Sequence, residues 1–370
     1  MNNLKFNEPI FVTRPLIPPI ESYNKKLQEI WDNKWLTNYG PLEREFQIKL
    51  KEKYGLKNIE TFANGHISLE IALKALDLEG EVITTPFTFA STTQAIIGNR
   101  LTPVFADIDQ YYYNLNPENI EDLITDKTSA IVPVHVFGNP CELDKMAKIA
   151  KDYDLKLIYD AAHAFGVKYK DKGIGNYGDA SVFSFHATKV FNTIEGGAIT
   201  FSDQKLYDRL YNLKNFGIRG EELVVSVGAN AKMNEFAAVM GLCNLKHIDE
   251  AIDERKKRVR IYHNKLENVK GVSMFHHREE CSENYAYFPI IVGEDYRKKR
   301  DELYDLLKKH DIYSRKYFYP LTSDQACFKN KYKKCELDHA RSLAEKVLVL
   351  PLYEKMEIEA VGRIVDIIQQ

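Results

Sequence analysis

Between about residue 55 and residue 200, short β-branched or apolar runs alternate with stretches of helical periodicity, and this alternation constrains the fold more than any single motif. "EVITT" (Glu81–Thr85), "SAIVPVHV" (Ser129–Val136), "LKLIYD" (Leu155–Asp160) and "ASVFSF" (Ala180–Phe185) read as strands, the second apolar enough to be buried on both faces. "NGHISLEIALKAL" (Asn64–Leu76) reads as a loop entering a helix. "PENIEDLI" (Pro117–Ile124) starts one, with Asn116 as N-cap and Pro117 at the first position. "ELDKMAKIAKDYD" (Glu142–Asp154) spaces Leu143, Met146, Ile149 and Ala150 at helical intervals. Such alternation predicts an α/β domain on a mainly parallel sheet. Helical patterns continue over Lys205–Gly217, ending on a glycine stop signal, and from about Met233 to Leu266. A strand at Tyr285–Val292 and helices at Arg297–Lys309, His339–Val347 and Glu357–Ile368 then describe a smaller α+β unit. The expected organisation is an N-terminal arm over residues 1–30, packed across the body, a large domain over 31–245 and a small C-terminal domain over 246–370.

Composition excludes several functions. The chain is 44% hydrophobic and 28% charged with net charge −2, ordinary for a globular protein and not basic enough for nucleic-acid binding. The basic runs Asp253–Arg260 and Tyr296–Glu302 are flanked by acids and read as solvated helix faces. Five cysteines without a CxxC pair argue against a disulfide framework or a structural metal site. The N-terminus has no signal-peptide core, and no run approaches the roughly 18 apolar residues of a membrane span. The expected location is cytoplasmic.

In a parallel α/β sheet, ligands sit outside the carboxyl ends of the strands, so polar residues there are the candidates for chemistry. Lys189 lies just beyond one such strand, flanked by Phe185, Val190 and Phe191. Burial there lowers a lysine pKa and makes the amine a better nucleophile toward carbonyls. Asp160 ends another strand among alanines; it reads either as a helix N-cap or as a carboxylate kept charged by a cation. Ser184 is five residues before the lysine. Gly65 and His66 open a helix whose N–H groups can hold an anion, or else form a plain turn. Phe89 can stack on a planar ring or fill the core. One ligand uses all of them. Pyridoxal phosphate needs a lysine for its aldehyde, a carboxylate for its ring nitrogen, an anion cradle and a flat partner.

The sequence resembles the DegT/StrS family of nucleotide-sugar aminotransferases, fold-type I enzymes with an aspartate-aminotransferase-like large domain. The resemblance rests on "WLTNYGPLEREFQ" (Trp35–Gln47), "ANGHISLEIAL", "TPFTFAST", "DAAHAFG", "SFHATK" with "EGGA", "GANAKMNEFAAVMGL" (Gly228–Leu242) and "LVLPLY" (Leu348–Tyr353). It implies that Lys189 bonds the aldehyde, Asp160 pairs with the ring nitrogen and His163 lies near the ring's phenolic oxygen. It also implies that Ser184 and the Gly65–His66 backbone bind phosphate, and that Phe89 stacks. Asn230 matches an asparagine that reaches the neighbouring subunit's phosphate, which implies a homodimer with shared active sites. His66 departs from the threonine of many members. Lys189 is present where a dehydrating branch has histidine, so transamination from L-glutamate is implied. Together with "SRKYFYPL" (Ser314–Leu321), the motifs look most like members that aminate dTDP-4-keto-6-deoxy-D-glucose to the 4-amino-4,6-dideoxy sugar of O-antigens and other surface glycans; members aminating C3 of a dTDP-3-keto-6-deoxyhexose are the alternative. Lys316, Tyr317 and Tyr319 are the candidate substrate contacts, with local packing as the other reading. Gly196 and Gly197 read as close backbone packing, and Glu195 is assigned no role.

Overall fold

The computed structural model describes residues 8–370; residues 1–7 of the expected arm lie outside it. Its centre is a seven-stranded sheet, in spatial order Asn58–Phe62, Gly197–Phe201, Ala180–Ser184, Lys156–Asp160, Thr128–Val132, Glu81–Thr84 and Thr102–Phe105. Six strands run in one direction. Gly197–Phe201 alone runs antiparallel to both neighbours. Helices cover both faces: one core gathers Phe46, Met146, Phe165 and Phe191, the other Leu69, Ile96, Ile199 and Leu210. This is the doubly covered parallel sheet that the alternating pattern predicts.

A second core lies around the antiparallel strands Val272–Met274, Phe288–Val292 and Val347–Leu350, covered by helices Arg300–Lys309 and Ile358–Gln369. The helix Ile248–Leu266 links the two bodies: Ile248 and Ala251 sit in the large core, Val259, Tyr262 and Leu266 in the small one. A further apolar cluster sets Phe87, Phe105 and Phe137 of the large sheet's carboxyl side against Phe318, Leu321 and Val349. It carries the Ser314–Leu321 loop to the site edge. The arm residues Ile10–Phe11 pair in parallel with Ile312–Tyr313, and Thr13 donates to the carbonyl of Thr188, the residue before Lys189. The same arm holds a 14-residue helix, Ile20–Asn33, that the sequence pattern did not single out.

Several sequence expectations shift. The run Ser129–Val136 forms a strand only to Val132, because Pro133 has no N–H to give the ladder. Pro117–Ile124 is two 3-10 turns rather than an α-helix, although Asn116 does cap the first through the Glu118 N–H. The helical pattern from Met233 to Leu266 breaks into Glu235–Asn244 and Ile248–Leu266. At the break Asn244 is fully buried, its amide given to the carbonyls of Leu16 and Asn192.

The "NYGPLE" turn shows how the pieces lock. Glu235 is buried, and its carboxylate accepts from the N–H groups of Leu42 and Glu43, at 3.0 and 2.9 Å. It thereby caps the helix Pro41–Tyr54 from outside, satisfying two donors that the helix cannot. A Cβ at position 40 would stand 2.3 Å from the carboxyl carbon, so any larger residue there displaces this cap. Glu235→Ala leaves two buried donors unpaired and is expected to cost about 1–3 kcal/mol. A lowered denaturation midpoint at constant slope is the expected reading; an unchanged midpoint contradicts this role.

Candidate active site

The site forms where the parallel strands end. Strands Lys156–Asp160 and Ala180–Ser184 are neighbours, so Asp160 and the segment after Ser184 emerge side by side. Asp160 is held on both sides by backbone bonds: its N–H to Pro133, its carbonyl from His135. No helix follows it. The chain turns at Ala161–Ala164, and the carboxylate accepts from the Ala162 N–H at 3.1 Å and the Thr92 hydroxyl at 2.8 Å. The helix N-cap reading of Asp160 is therefore replaced by a buried acceptor. Thr92 is itself buried and bonded to Thr88 at 2.9 Å, so the carboxylate has little freedom.

Burial pushes the Asp160 carboxyl up from its ordinary range, while the Thr92 hydroxyl, the Ala162 N–H and the positive Lys189 pull it down. Lys189 mirrors it. Burial lowers the ammonium to about 8, against the pull of Asp160 and Tyr317. Each charge thus favours the ionised form of the other, against the burial that opposes both. His163, also buried, is driven well below its ordinary pKa by burial and by Lys189, so its ring is neutral. Tyr287 meets that ring edge-on at 4.9 Å and Phe318 stacks on it at 5.9 Å. Asn284 fixes the backbone beneath it, donating to the carbonyls of His163 and Phe165.

The anion cradle is equally specific. Helix Gly65–Ala75 begins against Ser184, and a Cβ on Gly65 would lie 2.7 Å from the serine Cβ. Asn64 caps the helix by accepting from Ile67, leaving the first N–H groups free for an anion. The His66 side chain turns aside, to Ser91 at 2.9 Å and Glu70 at 3.4 Å, so it offers the cradle its backbone. Gly197 packs against Asn64, as the sequence suggests: a Cβ there would stand 2.6 Å from the Asn64 carbonyl. Phe89 is 61% exposed, whereas Phe87, two residues earlier, is fully buried. Phe87 is the core aromatic. Leaving Phe89 in water forgoes roughly 2–3 kcal/mol of burial, which a flat ligand would recover.

Among the candidate substrate contacts, Tyr317 acts electrostatically on Lys189 and meets Tyr287 edge-on at 6.0 Å. Lys316 instead pairs with Asp301 at 2.7 Å and lies over Tyr304, and Tyr319 carries the Arg300 guanidinium on its ring. Asn230 is exposed and accepts from Lys232 at 2.7 Å. Thr92, Tyr287, Asn284 and Phe318 had no sequence signal of their own.

The model of the DegT/DnrJ/EryC1/StrS aminotransferase family matches residues 20–369. The chain belongs to this family. It is 43% identical over 363 residues, 98% of this chain and 99% of the relative, to a dTDP-4-amino-4,6-dideoxy-D-glucose transaminase of Shigella dysenteriae. A transaminase of the same description from Escherichia coli is also 43% identical, over 96% of this chain and 97% of its own length. Among solved structures, DesI, crystallised in the presence of its TDP-sugar product, superposes with a TM-score of 0.94 at 35% identity, covering 98% of this chain and 93% of DesI. The protein is thus a pyridoxal-phosphate-dependent aminotransferase of nucleotide sugars with the fold-type I architecture. No described helix is long and apolar enough to cross a membrane.

The residues present fit that cofactor. The buried Nδ1 of His163 has no partner among the described residues, Gly65 lets the helix start lie close against Ser184, and Phe89 offers an exposed ring face. An amine is nucleophilic only when unprotonated, so capture of added aldehyde at Lys189 should quicken as pH rises through about 8. In Asp160→Asn the carboxylate no longer supports the ammonium, and the midpoint should fall. A midpoint that stays in place would show that the two groups are not coupled.

Proposed function

We propose that the protein transfers the amino group of L-glutamate to C4 of dTDP-4-keto-6-deoxy-D-glucose, giving dTDP-4-amino-4,6-dideoxy-D-glucose for a surface glycan such as O-antigen. The observation that carries this reading is the near full-length identity to two transaminases of that description, in a chain that keeps both Lys189 and Asp160. Amination at C3 has no comparable support.

Bound pyridoxal phosphate supplies an aldehyde that accepts the amino group and a ring that stores the electron pair released with the substrate proton. The rest falls to the chain. Lys189 would bond the aldehyde and, once free of it, would hold and move the substrate proton. Its pKa near 8 keeps it ready to both take and give a proton. Asp160, held by Thr92 and Ala162, would keep a proton on the ring nitrogen. Neutral His163 offers a single N–H or lone pair to the phenolic oxygen. Ser184 and the N–H groups of Gly65 and His66 hold the phosphate, and Phe89 covers the ring. With L-glutamate as donor, 2-oxoglutarate would leave before the keto sugar enters, a ping-pong order.

Asn230 completes the phosphate site of a second subunit in a homodimer. This is supported by the exposed apolar hairpin beside it: Leu223, Val224 and Val227 are 56%, 66% and 81% exposed. An apolar surface of this kind is costly unless a partner covers it. We place the enzyme in the cytoplasm, where the five free cysteines stay reduced.

Incubation with cofactor, L-glutamate and a set of dTDP-keto sugars should place the new amine at C4 by NMR; an amine at C3 overturns the assignment. Lys189→Ala should lose turnover by at least about a thousandfold. Retained turnover would remove the lysine from the mechanism. Asn230→Ala should weaken cofactor retention about tenfold. Unchanged retention would end the shared-site reading.

A further inference from the structure

Lys214 is a lysine that the chemistry above does not use, and it is completely buried. Its ammonium bonds Glu60, donates to the Thr61 carbonyl at 3.3 Å and lies 3.6 Å from Glu43. It also sits 4.7 Å from the Tyr39 ring centroid and 5.6 Å from that of Phe62. Glu60 and Glu43 are buried too, and Glu43 is further held by Thr61 and by Gln47 at 2.7 Å. Stability alone does not account for such a cluster. Buried ion pairs are often matched or bettered by apolar residues of similar volume, so their better-attested use is to fix one arrangement.

The segments fixed here all lead to the phosphate end of the site. Glu60 and Thr61 lie on the strand that runs into Asn64–Gly65. The carbonyls of Leu213 and Lys214 accept from Ala229 and Ala231, at 2.7 and 3.0 Å, gripping Asn230 from both sides. The carbonyl of Ala231 in turn accepts from Ala63 at 2.8 Å. One residue therefore braces the cradle through its ammonium and the Asn230 loop through its backbone. We propose that Lys214 is a positioning residue for the cofactor phosphate, holding the Gly65–His66 cradle of its own subunit in register with the Asn230 loop that serves the partner subunit. This rests on the shared-site reading.

The test compares two aldehydes that differ only in the phosphate. Dissociation constants of the full-length apoprotein for pyridoxal phosphate and for pyridoxal are read from the absorbance of the lysine-bound aldehyde. Lys214→Met combined with Glu60→Gln removes the pair together, and Glu43 keeps Thr61 and Gln47. The phosphate-bearing aldehyde should then bind about ten- to a hundredfold more weakly, as for other outer supporting contacts, while pyridoxal is unchanged. Parallel losses for both aldehydes, or no loss for either, overturn the proposal. Should the double variant not fold, Glu60→Gln alone, which keeps the ammonium on Thr61 and Glu43, should show the same selectivity at smaller size. Equal losses there overturn the proposal as well. Wild-type apoprotein that captured neither aldehyde at Lys189 would instead overturn the cofactor assignment beneath it.

Discussion

A buried carboxylate and a partly buried lysine, set where adjacent parallel strands end, govern this structure. Asp160 and Lys189 are each penalised by burial, and each relieves the other. A charge taken out of water without a partner is far costlier than a typical hydrogen bond is worth. The fold therefore has to supply both charges together and hold them there. The parallel pairing of Lys156–Asp160 with Ala180–Ser184 begins this, because it brings Asp160 and the segment that leads from Ser184 to Lys189 to one edge. The arrangement also prepares the chemistry. A carboxylate fixed by Thr92 and Ala162 is ready for a cationic ring nitrogen, and a lysine near neutrality is ready for an aldehyde.

The rest of the molecule serves this edge. The His163 ring lies in the aromatic wall of Tyr287 and Phe318, and Asn284 pins the turn beneath it, so the second body contributes directly to the site's shape. Gly138 admits that clamp: its backbone is left-handed, and a Cβ there would meet the Asn284 amide oxygen at 2.7 Å. On the far side, close packing at Gly65 and Gly197 sets the start of the helix Gly65–Ala75 against Ser184 and Asn64. Rigid elements thus hold the groups that meet the ligand, as a preorganised site requires.

Much of this was legible in the sequence. Lys189 and Asp160 stand out because their neighbours are too apolar or too small for ordinary surface positions, and Gly65 because it opens a helix. Three strands of the central sheet were not legible, and each for a physical reason. Asn58–Phe62 carries a glutamate at its centre, which looks solvated until Lys214 is found beside it. Thr102–Phe105 contains a proline, tolerated because the strand is at the sheet edge. Gly197–Phe201 begins on the glycine that packs against the cradle, so it reads as loop. Thr92, Tyr287 and Phe318 reach the site from segments remote in sequence, and no local pattern announces a contact made only by the fold. Phe89 had two readings that only exposure separates.

The central claim is that Asp160 holds a proton on the cofactor's ring nitrogen while Lys189 works beside it. Nitrogen-15 NMR of the protein reconstituted with ring-labelled pyridoxal phosphate observes that proton directly. The ring nitrogen should be protonated in the wild-type protein at neutral pH and unprotonated in Asp160→Asn. An unprotonated nitrogen in the wild-type protein, or one still protonated in the variant, would contradict the account.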